Sequence, residues 1–264
     1  MNYWQRRNVR AQEAVSNKSI KEIEKQLAKY YSTAAKRVMR DFEATYDKLL
    51  ATVAAGKEPT PADLYKLDKY WQMQGQLQRE LQKLGDQSVT ALQKAFVKQY
   101  IGVYNSVAIP GGASFTTVSR ETALQMVNSV WCADGKTWSA RVWANTTRLQ
   151  ETLNENLVHC VVTGKKTTEL KKLLQERFNV SYSQADTLVR TETAHIQTQA
   201  AQKRYEDYGL DEYEFLGREE HDIGCACKKL DGKRFKLIEM REGVNAPPMH
   251  PNCRCAIAPV VDID

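Results

Sequence analysis

Residues 19–56 read SIKEIEKQLAKYYSTAAKRVMRDFEATYDKLLATVAAG. Within them Ile20, Ile23, Leu27, Tyr30, Ala34, Val38, Phe42, Tyr46, Leu49 and Val53 recur at three- and four-residue steps. That spacing aligns one apolar stripe along a helix of 3.6 residues per turn. Ser19-Ile20-Lys21-Glu22 has the form of a capping box, in which the hydroxyl serves the N3 amide and the Glu reaches back. The stretch therefore predicts a helix from about Ser19 to Gly56. At ~1.5 Å per residue it extends roughly 50 Å, more than a compact domain needs, so other helices must sheath its stripe. The expected fold is mainly α.

Working outward, Thr60-Pro61-Ala62-Asp63 restarts the chain with a cap, a proline at the first helical position and an acid in the first turn. Leu64, Leu67, Trp71, Leu77, Leu81 and Leu84 carry a second stripe, which Gly85 is expected to break. Val89, Leu92, Phe96, Tyr100, Val103 and Val107 carry a third. The glutamines from Gln72 to Gln82 read as a solvated face. Upstream, Arg6, Arg7, Arg10 and Lys18 open a basic arm with few acids to balance it, suited to a polyanion such as double-stranded DNA. Pro110-Gly111-Gly112 then marks a boundary. Residues 1–110 are thus expected to form a long-helix, hairpin-like region.

Residues 111–209 read as a second helical block. One helix is expected from Trp138 to Gly164 and a short one from Lys165. Another should begin at Ser181-Tyr182-Ser183-Gln184 and stop at Gly209. Beyond Gly209, short alternating segments at 212–217, 233–238 and 255–260 suggest strands. Residues 210–264 then make a small α+β module that buries too little to stand without a brace.

That module holds four of the six cysteines and two of the four histidines. Cys225, Cys227, His250, Cys253 and Cys255 offer five ligands where zinc takes four. His221 and Asp222 stand in reserve. The Cys225-x-Cys227 bite is tighter than the usual knuckle; in an extended strand both thiols would share a face, with Gly224 supplying a turn. A closed, structural zinc site is expected. Cys132 and Cys160 read as isolated thiols.

On the preceding helix, Arg190-Thr191-Glu192-Thr193-Ala194-His195 sets Glu192 and His195 one turn apart. The expected role of Arg190, Glu192 and His195 is a buried network locking that helix to the small module. The competing role is an acid/base or metal-binding pair. With the net charge of +6, 42% hydrophobic and 27% charged residues, the composition is that of a globular protein. No apolar run approaches the roughly 20 residues that cross a bilayer, and no h-region follows Met1. The cysteines are therefore read in a reducing cytoplasm. Zinc-deaminase and HExxH patterns, phosphate-binding glycine loops and Ser-His-Asp sets do not occur.

Taken in order, Trp138-Ser139-x-Arg141-x-Trp143-Ala144-Asn145, Arg190-Thr191-Glu192-Thr193-Ala194, Cys227-x-x-Leu230-Asp231-Gly232-Lys233 and Asn245-Ala246-Pro247-Pro248-x-His250-Pro251-Asn252-Cys253-Arg254-Cys255 resemble the head morphogenesis, or minor capsid, proteins of tailed phages, the phage Mu F-like family. The resemblance covers roughly residues 120–260. The family pattern has Cys-x-x-Cys before Leu-x-Gly; here Gly224 takes the first position and Cys225 lies one residue late. The resemblance implies a non-enzymatic protein of the virion head interior, made in the host cytoplasm. Its implied partners are the portal and other head proteins, and its role is in assembly, DNA packaging or ejection. No membrane or small-molecule substrate is implied. Some relatives carry further C-terminal toxin or enzyme domains, which this chain, stopping at Asp264, is expected to lack. The competing functions are a metal-dependent nuclease using His221, Asp222 or Glu192/His195, and a plain DNA-binding protein.

Overall fold

In a computed structural model, residues 3–53, 60–108, 117–217 and 225–261 are described. The fold is mainly α: helices α1 (Tyr3–Val53), α2 (Pro61–Leu64), α3 (Asp68–Ser106), α4 (Arg120–Val127), α5 (Trp138–Val162), α6 (Thr167–Asp207) and α7 (Ala226–Leu230) accompany strands β1 (Glu212–Leu216), β2 (Arg234–Lys236) and β3 (Ala256–Pro259). Gly56, Pro110, Gly111, Gly112, Glu219, Glu220, His221, Asp222 and Gly224 lie outside the described residues.

Two compact units form. One comprises Met1–Glu24, Ala91–Trp138 and Asp186–Asp264; the other comprises Lys25–Thr90 and Ser139–Ala185. Neither is a continuous stretch of chain.

The second unit is built of helical segments, each burying one stripe. Leu27, Val38, Phe42, Tyr46 and Leu49 of α1 are buried, as are Leu77, Leu81 and Leu84 of α3, Leu149, Leu153 and Leu157 of α5, and Leu170, Leu174 and Phe178 of α6. Each such side chain contributes about 1.5–3 kcal/mol on leaving water. The Tyr46 hydroxyl donates to the Lys165 carbonyl (2.8 Å), and the Tyr70 hydroxyl and the Gln74 amide both reach Asn154 Oδ1. Helix α3 passes unbroken through Gly85. A Cβ there would stand 2.3 Å from the Trp143 ring, so this glycine makes room for an indole rather than ending a helix. Trp71, read as a core position, is 57% exposed, and its indole N–H caps the Tyr65 carbonyl at 2.8 Å. The Thr60 start is present as a short helix: the Asp63 carboxylate accepts from the Thr60 amide at 3.1 Å and its hydroxyl at 2.6 Å.

In the first unit, α1 begins at Tyr3, not at Ser19, so the basic arm is helix. The buried face simply continues upstream in polar residues: Gln5, Asn8, Gln12, Ser16 and Ser19 keep the helical step and are all buried. Their partners are far along the chain. Asn8 closes a two-way pair with the Ala108 backbone (2.8 and 2.7 Å), Gln12 donates to the Tyr205 hydroxyl (3.3 Å), and Gln5 donates to Glu214 (2.9 Å). Gln99 bridges Ser16 and the Thr193 carbonyl.

Helix α6 is likewise one helix of 41 residues rather than two. It contains no glycine or proline, and Ser181 is a buried-face residue in the series Leu170, Leu174, Phe178, Ser181, Ala185, Val189. It ends as expected at Gly209 (φ +72), with the Leu210 amide on the Tyr205 carbonyl and that of Gly209 on Glu206. The three strands form an antiparallel sheet in the order β2-β1-β3, with Tyr213 opposite Phe235 and Pro259, and Phe215 opposite Ile257. Tyr213 joins a cluster with Val107, Ala201, Tyr205, Leu237, Ala246 and Ile257, while Phe215 packs among Cys227, Cys253 and Cys255.

Candidate metal centre

The cysteines come from two places in the first unit. Cys225 is the N-cap of α7 and Cys227 lies in its first turn, so this pair spans a helix start, not an extended strand. After α7, the Asp231 carboxylate accepts from the Gly217 amide (2.8 Å), and Gly232 turns the chain at φ +75 into β2. This fixes Leu230-Asp231-Gly232-Lys233 as the hinge that returns α7 to the sheet. Asn245 braces the next loop: its amide donates to the Glu239 carbonyl (2.9 Å) and accepts from the Arg241 amide (2.7 Å). The Tyr213 hydroxyl reaches the Asn245 carbonyl at 3.1 Å. The chain then turns at His250, whose carbonyl takes the Cys253 amide (3.1 Å), and Asn252 adopts φ 60 before Cys253, Cys255 and β3.

Cys225, Cys227 and His250 form one group whose ligand atoms lie within 4.8 Å of one another; Cys227, Cys253 and Cys255 form another. Cys227 belongs to both. The Cys227 and Cys253 sulfurs are 3.9 Å apart. Cys227, Cys253 and Cys255 are buried, and Cys225 is half-buried. The electrostatics are those of several thiols sharing one charge. A hydrogen bond from Cys255 pulls the Cys253 thiol down to about 5, against burial. Burial, then the Cys253 charge, pushes Cys227 up to about 12. The hydrogen bond to Cys253, then burial, pushes Cys255 up as well. One thiolate suits this pocket and three do not, unless a cation joins them. The donor set of soft sulfurs with an imidazole fits a tetrahedral thiophilic ion, and these residues can hold a metal ion. Beside them a polar cavity of about 270 Å³ is lined by Glu13, Asn17, Arg190, Thr193, Cys253 and Arg254 among others.

The Arg190–His195 turn does not converge on one reacting point. Arg190 pairs with Asp186 (3.0 Å) and with Glu24. Glu192, buried, accepts from the Trp131 indole at 2.9 Å. The His195 ring stacks on Trp131 with centroids 4.6 Å apart, and its Nδ1 meets Glu242 Oε2 at 2.6 Å. Gln199 holds the other Glu242 oxygen, and the Thr191 hydroxyl accepts the Asn252 amide at 3.2 Å. Trp131, Glu242 and Gln199 were not singled out by the sequence; they lie 61, 47 and 43 positions from their partners, and no local spacing marks them. Arg6, Arg7, Arg10 and Lys18 are exposed on α1, with the Arg7 guanidinium 5.2 Å over the Trp4 ring.

A family model described as phage Mu protein F like protein matches residues 151–258, which take in the second half of α5, all of α6, β1, β2, nearly all of β3 and the cysteine cluster. Over these residues the chain is similar to phage Mu protein F like proteins. Among curated proteins, an NAD(+)–arginine ADP-ribosyltransferase of Enterococcus faecalis is 25% identical over 163 residues, 56% of this chain and 33% of that relative. The chain thus spans about a third of the length of the curated relative it matches. No solved structure matches it. No helix among the described residues is long and apolar enough to cross a membrane.

Proposed function

We propose that the chain is a minor head protein of a tailed phage that associates with the portal inside the procapsid, where it assists assembly, DNA packaging or ejection. The family match over residues 151–258 carries this reading. In this reading a structural zinc in the Cys/His module braces the small sheet, and the exposed cations Arg6, Arg7, Arg10 and Lys18 supply a surface for packaged double-stranded DNA. The nuclease reading gains nothing from Glu192 and His195, which are buried and turned to Trp131 and Glu242. Arginine ADP-ribosylation is the activity of a much longer and distant relative, and no residue of this chain takes a role from it.

The test is the protein content of procapsids assembled with and without portal. The chain should enter portal-containing procapsids and be lost from portal-less ones. Equal incorporation in both, or absence from both, sinks the portal role.

A further inference from the structure

Five candidate ligands surround a site that takes four, and the two overlapping groups share Cys227 alone. We propose that a single zinc-class ion is held by Cys227, Cys253, Cys255 and His250, and that Cys225 lies outside its coordination sphere. The proposal rests on the metal reading above and deepens it.

The imidazole is set up to bind through one nitrogen. His250 Nδ1 lies 2.8 Å from the Pro251 carbonyl oxygen. A carbonyl only accepts, so Nδ1 carries the hydrogen and Nε2 carries the lone pair. A backbone carbonyl on one ring nitrogen is the usual way a protein fixes the tautomer of a metal-binding histidine. His250 is also tied to the thiolate segment itself, since its carbonyl takes the Cys253 amide at 3.1 Å. His250, Cys253 and Cys255 therefore come from one turn. Only Cys227 must be delivered from elsewhere, and it is fully buried at their meeting point.

Cys225 has none of these supports. It is the half-buried N-cap residue of α7, next to the helix rather than within it. Like His250, it groups with Cys227 and not with the Cys253–Cys255 pair, so the choice between the two rests on the ring orientation and the tie of His250 to the Cys253 segment. Three thiolates and one imidazole complete a tetrahedron with the minus-one charge common in structural sites.

The test is cobalt(II) and zinc(II) loading of the full chain, with the metal counted and the thiolate-to-cobalt absorption measured per bound ion. The native chain should take one equivalent. Cys225→Ser should keep that equivalent and the full absorption. His250→Cys should raise the absorption by about one third, from three sulfurs to four. His250→Ala, checked for fold by circular dichroism, should weaken binding about tenfold or more. Loss of about a quarter of the absorption in Cys225→Ser, with no gain in His250→Cys, overturns the ligand assignment alone. A folded native chain that takes up neither ion overturns the metal reading with it. Neither result bears on portal association, which is read from procapsids.

Discussion

Asn8 shows how much one side chain can fix. Its amide donates to and accepts from the Ala108 backbone, closing off the chain just past the end of α3. Asn8→Ala leaves two part-buried backbone groups of Ala108 without this partner, and should cost about 1–2 kcal/mol in urea unfolding, whereas Arg10→Ala on the exposed face should cost almost nothing. His195 and Glu242 pose a similar case. His195→Ala removes the ring stacked on Trp131 and one of two donors to a buried carboxylate, for a loss of about 2–4 kcal/mol by the same measurement. Asp207 gives a pH effect. Burial raises its carboxyl, but hydrogen bonds from Lys203 and Tyr104 outweigh that and hold it below the usual carboxylate range. A lowered folded value means the stabilisation is present above the ordinary carboxylate range and is lost as pH falls through the folded value. The melting temperature of Asp207→Asn should therefore fall short of the native one near neutrality and converge on it in acid.

At the scale of elements, Gly85 is the sharpest test. Gly85→Ala drives a methyl into Trp143 and should destabilise by about 1–3 kcal/mol despite alanine's better helix propensity; a neutral or stabilising result would mean the indole moves away freely. The same position shows what was and was not legible. The stripes of α1, α3 and α5, the Thr60 restart, the Gly209 stop and the three strands all followed from periodicity and turn chemistry. Gly85, Ser19 and Ser181 misled for one reason. Each is a small residue on a buried face, and small residues on a helix carry the same letters whether they cap, break or make room. The polar face from Gln5 to Ser16 was invisible because hydrophobic periodicity cannot register a core made of amides. At the candidate site the cysteines and His250 were legible from density and spacing. The helix start between Cys225 and Cys227, and the partners Trp131 and Glu242, depend on contacts that no local pattern carries.

For the whole molecule, the metal and the polyanion surface make separable predictions. If the thiol cluster is filled by an ion, a strong chelator should lower the melting temperature of the first unit's transition, and added zinc should restore it. Binding to duplex DNA, followed by fluorescence anisotropy against salt, should weaken steeply as salt rises. Replacing Arg6, Arg7, Arg10 and Lys18 together by Gln should flatten that salt slope by about three to four.

The polar face of α1 has a consequence for the order in which the chain is made. A ribosome releases the first turns of α1 long before their partners: Gln5 waits for Glu214, 209 positions later, and Gln12 waits for Tyr205, 193 positions later. Until then those contacts cannot form, and the start of α1 has no apolar stripe with which to collapse. Closing such long loops is slow compared with forming local helix. The first turns of α1 should therefore be among the last parts to lock, and nascent chains halted before residue 205 should leave them open to protease while the helices downstream are already protected.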